Sequence, residues 1–471
     1  MSELTRREFL SQSAVAGTSL SVMGGVSLAA KPTVVPSRKR PRVAAIFTVL
    51  RFRSHAYNIL ENFLGPYYFR GKLVDPGVDV VSFYADQFPD DDLAKEVSRR
   101  FGIPLCKTIE EAMCVGGQEL AVDAVLSIGE HGSYPYNERG QHLYPRKRFF
   151  DEALAVMEKS GRFVPFFNDK HLSYDWSESK EMYDSCRQKG MPLIAGSSVP
   201  LAQRRPMLNL KPGTEIEEAV SIHGGGLESY DFHALEVLQS IVESRAGGET
   251  GIKSIELVYG QAFEDARKAG RWSTDLVEAA MKAETDMKAV RQGRPTQGVF
   301  SKSNSKSTVY ARPPGPSGPY AICLTYRDGL KATVLKIGGS GDRWNFACRL
   351  RGSSAPQATA FFNSPWGNRG LFKALSHAIQ HTFTTGEEPY PAERTLLTTG
   401  AVEAVMHSWE NKGARIETPH LAIRYQPEEW SRFRENGETW SVITKDVRQP
   451  TSFEPRSYDE LGEVDSGNKN F

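Results

Sequence analysis

Three stretches of this 471-residue chain place charged and aromatic side chains directly after apolar, β-branched runs. The first is Glu130-His131, followed by Tyr134, Tyr136, His142, Arg146 and Arg148. The second is Asp169-Lys170-His171, and the third is His223 with Asp231 and His233. Ligands of open α/β sheets collect at the carboxyl ends of strands, so residues just past strand ends are the first candidates for chemistry. A lysine and histidines in such places suit proton transfer, because imidazole titrates near neutrality and a fixed ammonium favours an oxyanion. Glu236 lies three residues beyond His233, hence on the same helical face and able to orient it. Plainer readings compete: Lys170 pairing with Asp169 on a loop, and His233 packed at a domain interface. Glu130, His131 and His142 are metal-ligand types, but their spacing matches no metal motif and no metal is expected. Residues 134–148 suit either a carbohydrate or a buried hydrogen-bonding layer that secures a long loop.

The elements that must position these residues alternate. Residues 43–47, 78–84, 124–129, 163–167 and 192–195 read as buried strands, with helical stretches between them. That pattern predicts an α/β protein whose first part, residues 42–201, is a Rossmann-like, doubly wound parallel sheet. Beyond a helical stretch at 231–244, strand-like runs at 254–259, 307–311, 320–326, 331–337 and 344–350 are separated by Gly, Pro, Asp and Ser. Strands joined by turns pair antiparallel, so residues 202–426 predict a second α/β domain with an open, mostly antiparallel sheet. Residues 427–471 are charged and aperiodic and read as a polar, peripheral tail.

Composition bounds the partners. Lys plus Arg number 58 against 57 for Asp plus Glu, so no basic excess points to nucleic acid. The five cysteines form no Cys-x-x-Cys pair, which argues against a disulfide framework. Thr5-Arg6-Arg7-Glu8-Phe9-Leu10 precedes a weakly apolar stretch, the pattern of a twin-arginine signal over residues 1–30, and residues 31–41 read as a Pro-rich linker. The expectation is export by the twin-arginine translocase to the periplasm or exterior, with no stable membrane anchor and with homo-oligomers as a further partner state.

In their order these pieces resemble the Gfo/Idh/MocA oxidoreductase family, which joins a Rossmann domain to a domain with an open, mostly antiparallel sheet. Val78-Asp79-Val80-Val81-Ser82-Phe83-Tyr84-Ala85-Asp86 is similar to the family's second strand, which ends in an acidic residue. Phe101-Gly102-Ile103-Pro104, Thr108-Ile109-Glu110-Glu111-Ala112 and Val122-Asp123-Ala124-Val125 follow in the family's order. Asn168-Asp169-Lys170-His171-Leu172 resembles its Glu-Lys-Pro segment, with Lys170 at the lysine and His171 at the proline. Gly224-Gly225-Gly226, then His233 and Glu236, resemble its glycine-rich run and His-x-x-Asp pair, and residues 404–425 its closing helix and strand.

The resemblance covers residues 42–425 and implies an oxidoreductase, or an NAD-retaining glycosidase-like enzyme, that uses NAD or NADP on a sugar or polyol derivative. It makes Lys170 and His233 catalytic, with His171, in place of the family's proline, as a second titratable group and Glu236 orienting His233 among the expected catalytic residues. His131, Tyr136, Arg146 and Asp231 would contact substrate. Asp86 would accept the adenosine ribose hydroxyls, unless it is a solvated loop carboxylate, and Thr48, Arg51, Arg53 and Glu130 would complete the cofactor contacts. Two segments depart from the family. Gly129-Glu130-His131-Gly132-Ser133-Tyr134-Pro135 replaces its Thr-Pro-Asn-type exit. The first-strand turn, Phe47-Thr48-Val49-Leu50-Arg51-Phe52-Arg53-Ser54-His55, contains no glycine, although dinucleotide turns use glycines to bring the backbone onto the pyrophosphate. Arg51 and Arg53 would then have to hold a phosphate by side-chain contacts. The missing glycines favour the alternative, a non-redox descendant that binds a carbohydrate without a dinucleotide.

Overall fold

Six short apolar strands build the first sheet of the computed structural model, which describes residues 40–291, 310–363, 368–443 and residue 453. The expected signal, residues 1–30, lies outside the described residues. In chain order the strands are β1 (Arg42–Phe47), a small hairpin of β2 (Tyr67–Phe69) and β3 (Lys72–Val74), then β4 (Asp79–Ala85), β5 (Leu105–Cys106), β6 (Ala124–Ile128), β7 (Phe166–Asp169) and β8 (Leu193–Gly196). The main sheet runs β5-β4-β1-β6-β7-β8, and every pairing in it is parallel. This is the strand order of a Rossmann sheet. Both faces are covered, as a parallel sheet requires. Val43, Ala45 and Phe47 of β1 join one apolar core, and Ala44 and Ile46 join another on the opposite face.

The second sheet is formed by β9 (Gln203–Arg205), β10 (Ile216–His223), β11 (Ile252–Tyr259), β12 (Tyr320–Tyr326), β13 (Lys331–Lys336), β14 (Trp344–Leu350), β15 (Gln357–Phe362) and β16 (Ile416–Glu417). Its order is β16-β11-β12-β13-β10-β14-β15-β9; β10 and β13 pair parallel and the rest antiparallel. Side chains alternate as a period of two dictates. Tyr320, Ile322, Leu324 and Tyr326 face the core shared with β1, while Ala321 packs with Trp272, Leu276 and Ala280 on the far face. Helices Ser229–Val242 and Ala392–Glu410 lie between the two sheets; helix Thr274–Arg291 covers the outer face.

Two segments differ from expectation. Most of residues 307–311 lies outside the described residues, and Tyr310 and Ala311 are not in a strand. Beyond Pro427 the chain is not a peripheral tail throughout: Trp430, Phe433 and Trp440 are buried, and Trp430 Nε1 donates to Glu243 at 3.2 Å. Charged neighbours hide these aromatics from a reading based on local composition. Among the described residues no helix is long and apolar enough to cross a membrane.

Candidate functional site

A cluster of buried charges sits where β6 and β7 end and helix Ser229–Val242 begins. Gly129 follows β6 and lets helix Arg146–Ser160 come close, since a Cβ there would lie 2.8 Å from Arg146 Cγ. Glu130 comes next and is buried between two cations. Lys170 Nζ donates to its Oε1 at 2.8 Å, and Arg146, fully buried, donates to its Oε2. Burial alone would raise the Glu130 carboxyl, but the Lys170 ammonium and Arg146 guanidinium outweigh it and hold the group well below the usual carboxylate range. Lys170 Nζ also donates to Ser229 Oγ at 2.9 Å, so the ammonium bridges the parallel sheet and the first residue of the second domain's helix. Its partner is therefore Glu130, and not the adjacent Asp169.

Three histidines in this cluster are neutral. Arg146 Nη1 lies 3.1 Å from His171 Nε2 and can only donate, which leaves the His171 hydrogen on Nδ1. Burial and then the Arg146 charge pull His171 well below its ordinary pKa. His131 is lowered by burial and then by His55, and its Nε2 is buried with no partner among the described residues. His233 is lowered by burial and then by the Lys170 charge. Its Nδ1 lies 2.6 Å from Ser197 Oγ, just past β8. Glu236 reaches His233 only indirectly: it accepts from Ser197 N at 3.3 Å and from Thr398 Oγ1 at 2.6 Å. His131, Lys170 and Glu228 adopt φ of 72°, 62° and 69°. Left-handed backbone at residues with a Cβ costs on the order of 1–3 kcal/mol each and gathers at functional sites.

Glu228 enters the site unheralded by the sequence. Its carboxyl is buried 3.8 Å from His171 Nε2 and 3.9 Å from Arg312, and burial pushes it up to about 7. Asp231, expected at the substrate, is fully buried and occupied: Glu228 N donates to Oδ2 at 2.7 Å and Tyr320 to Oδ1 at 2.9 Å. It builds the helix start. Tyr136, also expected at the substrate, stacks on His142, which stacks in turn on Tyr144, with centroids 4.1 and 3.9 Å apart. The aromatic run is thus largely packed on itself. Among the described residues no three ligand-type side chains gather around a metal-sized space.

No family model and no curated protein matches the sequence. Among solved structures, GenD2 from gentamicin A biosynthesis in complex with NAD is similar in fold, at 12% identity and a TM-score of 0.49 over 82% of this chain and 99% of that one. So is scyllo-inositol dehydrogenase from Lactobacillus casei with bound NAD(H) and scyllo-inositol, at 12% identity and a TM-score of 0.46 over 80% and 99%. A putative myo-inositol dehydrogenase from Sinorhizobium meliloti 1021 follows at 10% identity and 0.44 over the same shares. The chain's own sheets decide the architecture: a six-stranded parallel sheet in Rossmann order, then an open mixed sheet that is antiparallel in all but one pairing. The chain has a Rossmann-type parallel sheet joined to an open, mostly antiparallel sheet. Lys170 directly follows β7, at the carboxyl edge of the parallel sheet where ligands of such sheets collect, and His233 lies in the second turn of helix Ser229–Val242.

The turn after β1, where a Rossmann sheet takes the phosphates of a dinucleotide, is filled by protein here. Thr48, Val49 and Leu50 are fully buried. Thr48 Oγ1 donates to the Glu130 carbonyl at 2.6 Å, Leu50 N donates to Asp92 at 2.8 Å, and Ser54 Oγ accepts from Tyr57 N at 3.2 Å, capping the short helix His55–Leu60. Arg53 is buried in left-handed backbone and donates to Asn368 at 3.0 Å; Arg51 is half-buried. Asp86 is engaged on both oxygens, by Tyr84 at 2.8 Å and Arg148 on Oδ1 and by Tyr134 at 2.5 Å on Oδ2. Backbone amides and a ribose-reading carboxylate, the two things such a site supplies, are already used. These residues do not fit a dinucleotide held in the ordinary way.

Proposed function

We propose that the chain binds a sugar or polyol derivative at the carboxyl ends of β6 and β7 and moves protons on it without a resident dinucleotide. One observation carries this: a lysine fixed by Glu130 and Ser229 stands in the same buried cluster as neutral imidazoles, His233 among them. A fixed cation in a water-poor site favours an oxyanion, and a neutral imidazole accepts the proton released. A second reading, an NAD(P)-dependent oxidoreductase, is favoured by the match of Lys170 and His233 to the family's catalytic positions. In both readings the Arg6-Arg7 signal sends the folded protein through the twin-arginine translocase to the periplasm or exterior.

Mass spectrometry of small molecules released by denaturing the protein, purified from the cytoplasm after deletion of residues 1–30, separates the two. The expected result is no stoichiometric NAD(P), no NAD(P) binding by calorimetry, and binding of a sugar or polyol that Lys170→Met weakens at least about tenfold, the loss of one charged hydrogen bond. Stoichiometric nucleotide would sink the first reading and install the second.

A further inference from the structure

His55 is the first residue of the helix after β1, where a dinucleotide fold brings its phosphates, and nothing in the sequence patterns assigns it a role. Its Nδ1 lies 2.6 Å from Oδ2 of Asp169, the last residue of β7, and both side chains are almost wholly buried. A carboxylate only accepts, so Nδ1 carries a hydrogen, and in the neutral ring the lone pair is then on Nε2. Among the described residues Nε2 has no hydrogen-bond partner, yet it is not sealed among the fully buried, unpartnered atoms. A carboxylate behind an imidazole fixes its tautomer and stabilises the imidazolium that forms when it takes a proton. His131 stands edge-on, with ring centroids 5.0 Å apart. Being neutral, it adds no positive charge to oppose that protonation. Asp169 and Lys170 are consecutive, and the left-handed turn at Lys170 sends one side chain to His55 and the other to Glu130. The base and the oxyanion-stabilising cation are thereby set from a single strand end.

We propose that His55, positioned by Asp169, is the base of this site and that it removes a proton from carbon next to a carbonyl of a keto sugar or sugar acid. The inference rests on the sugar-binding reading above. The His55 Nε2 lone pair takes the carbon-bound proton, the C–H electron pair becomes a carbon–carbon π bond, and the carbonyl π pair moves to oxygen, where the Lys170 ammonium stabilises it. Return of the proton from the imidazolium to the same carbon completes an exchange; its delivery to the former carbonyl carbon, with the hydroxyl proton of the first carbon passing to the new oxyanion as that hydroxyl becomes the carbonyl, completes an isomerisation. No oxidant or reductant is consumed, which agrees with the filled turn.

The full chain is incubated in D2O with dihydroxyacetone, D-fructose and D-glucuronate, and carbon-bound deuterium is followed by NMR, beside calorimetry with the same three compounds. The expected result is deuterium entry into at least one of them. His55→Gln should slow it by about a hundredfold or more, the usual contribution of a general base, with affinity unchanged. Asp169→Asn should slow it by roughly tenfold or more. Its 15N spectrum should show His55 no longer held as the Nδ1–H tautomer, a signature that altered packing alone would not produce. Binding without exchange, or exchange that His55→Gln leaves intact, overturns the assignment of the base while the sugar-binding reading stands. Absence of binding by all three compounds overturns both.

Discussion

Glu130 lies between Lys170 and Arg146 with almost no water to share their charge, so its removal strands two buried cations. Breaking a buried ion pair from one side costs about 3–5 kcal/mol. Glu130→Gln is therefore expected to lower the urea midpoint by a corresponding amount; a change under about 1 kcal/mol would mean that water reaches both cations. Glu228 titrates the other way. Burial, as the first cause, raises its folded carboxyl from 4.5 to about 7. The unfolded carboxyl ionises first as pH rises, so its contribution is complete below the unfolded value and is lost as pH climbs towards the folded one. Stability should fall between those two values, and Glu228→Gln should flatten that fall, as measured by urea unfolding at a series of pH values. A slope unchanged by the substitution would assign it to another group. Glu130, Lys170 and His171 were legible as neighbours because strand ends gather at one edge of a parallel sheet. Glu228 was not: its placement depends on a left-handed residue at a helix start, which no spacing announces.

The turn from β10 into helix Ser229–Val242 is set by close approach. A Cβ at Gly224 would sit 2.3 Å from the Ser340 carbonyl oxygen, a backbone atom that cannot swing away, and one at Gly225 would enter the Tyr230 ring. At Gly226 the nearest atom, Arg312 Nη1, is 3.5 Å off. Gly224→Ala should cost about 1–3 kcal/mol or more through overpacking, whereas Gly226→Ala should be close to neutral. Thermal melts of the two variants, side by side, check this; equal losses would mean that the loop around Ser340 yields. The glycine run itself was readable. Helix Thr274–Arg291 was not, because its buried positions Leu276, Ala280, Ala283 and Met287 form a thin stripe, half of it alanine, amid charge.

One apolar core runs through both sheets, from Phe47 in β1 through helix Ser229–Val242 to Tyr320 and Phe346. Two domains that share a core unfold together, so calorimetry should show a single thermal transition, and two resolved transitions would contradict this. The C-terminal segment belongs to the same body. Trp430 lies 4.5 Å from the Arg394 guanidinium and donates to Glu243, the carboxylate that Arg394 pairs with in full burial. Trp430→Ala is expected to cost about 3–5 kcal/mol and to lower that one transition. A melt indistinguishable from the wild type would return the segment to the periphery.

The alternation of short β-branched runs with helical stretches determined the two-sheet architecture by itself, because a strand buried on both faces has few other ways to cover itself. The absence of glycine after β1 likewise announced an unusual turn by itself. Only the tertiary structure decided what fills that turn and who pairs with whom. Asp169 and Lys170 are neighbours in sequence, yet one turns to His55 and the other to Glu130. Asp86, readable as a ribose ligand, is held by Tyr84, Tyr134 and Arg148. Apart from Tyr84 with Asp86, these pairings join residues forty or more positions apart through the packing of whole elements, and local residue type and spacing carry no record of them.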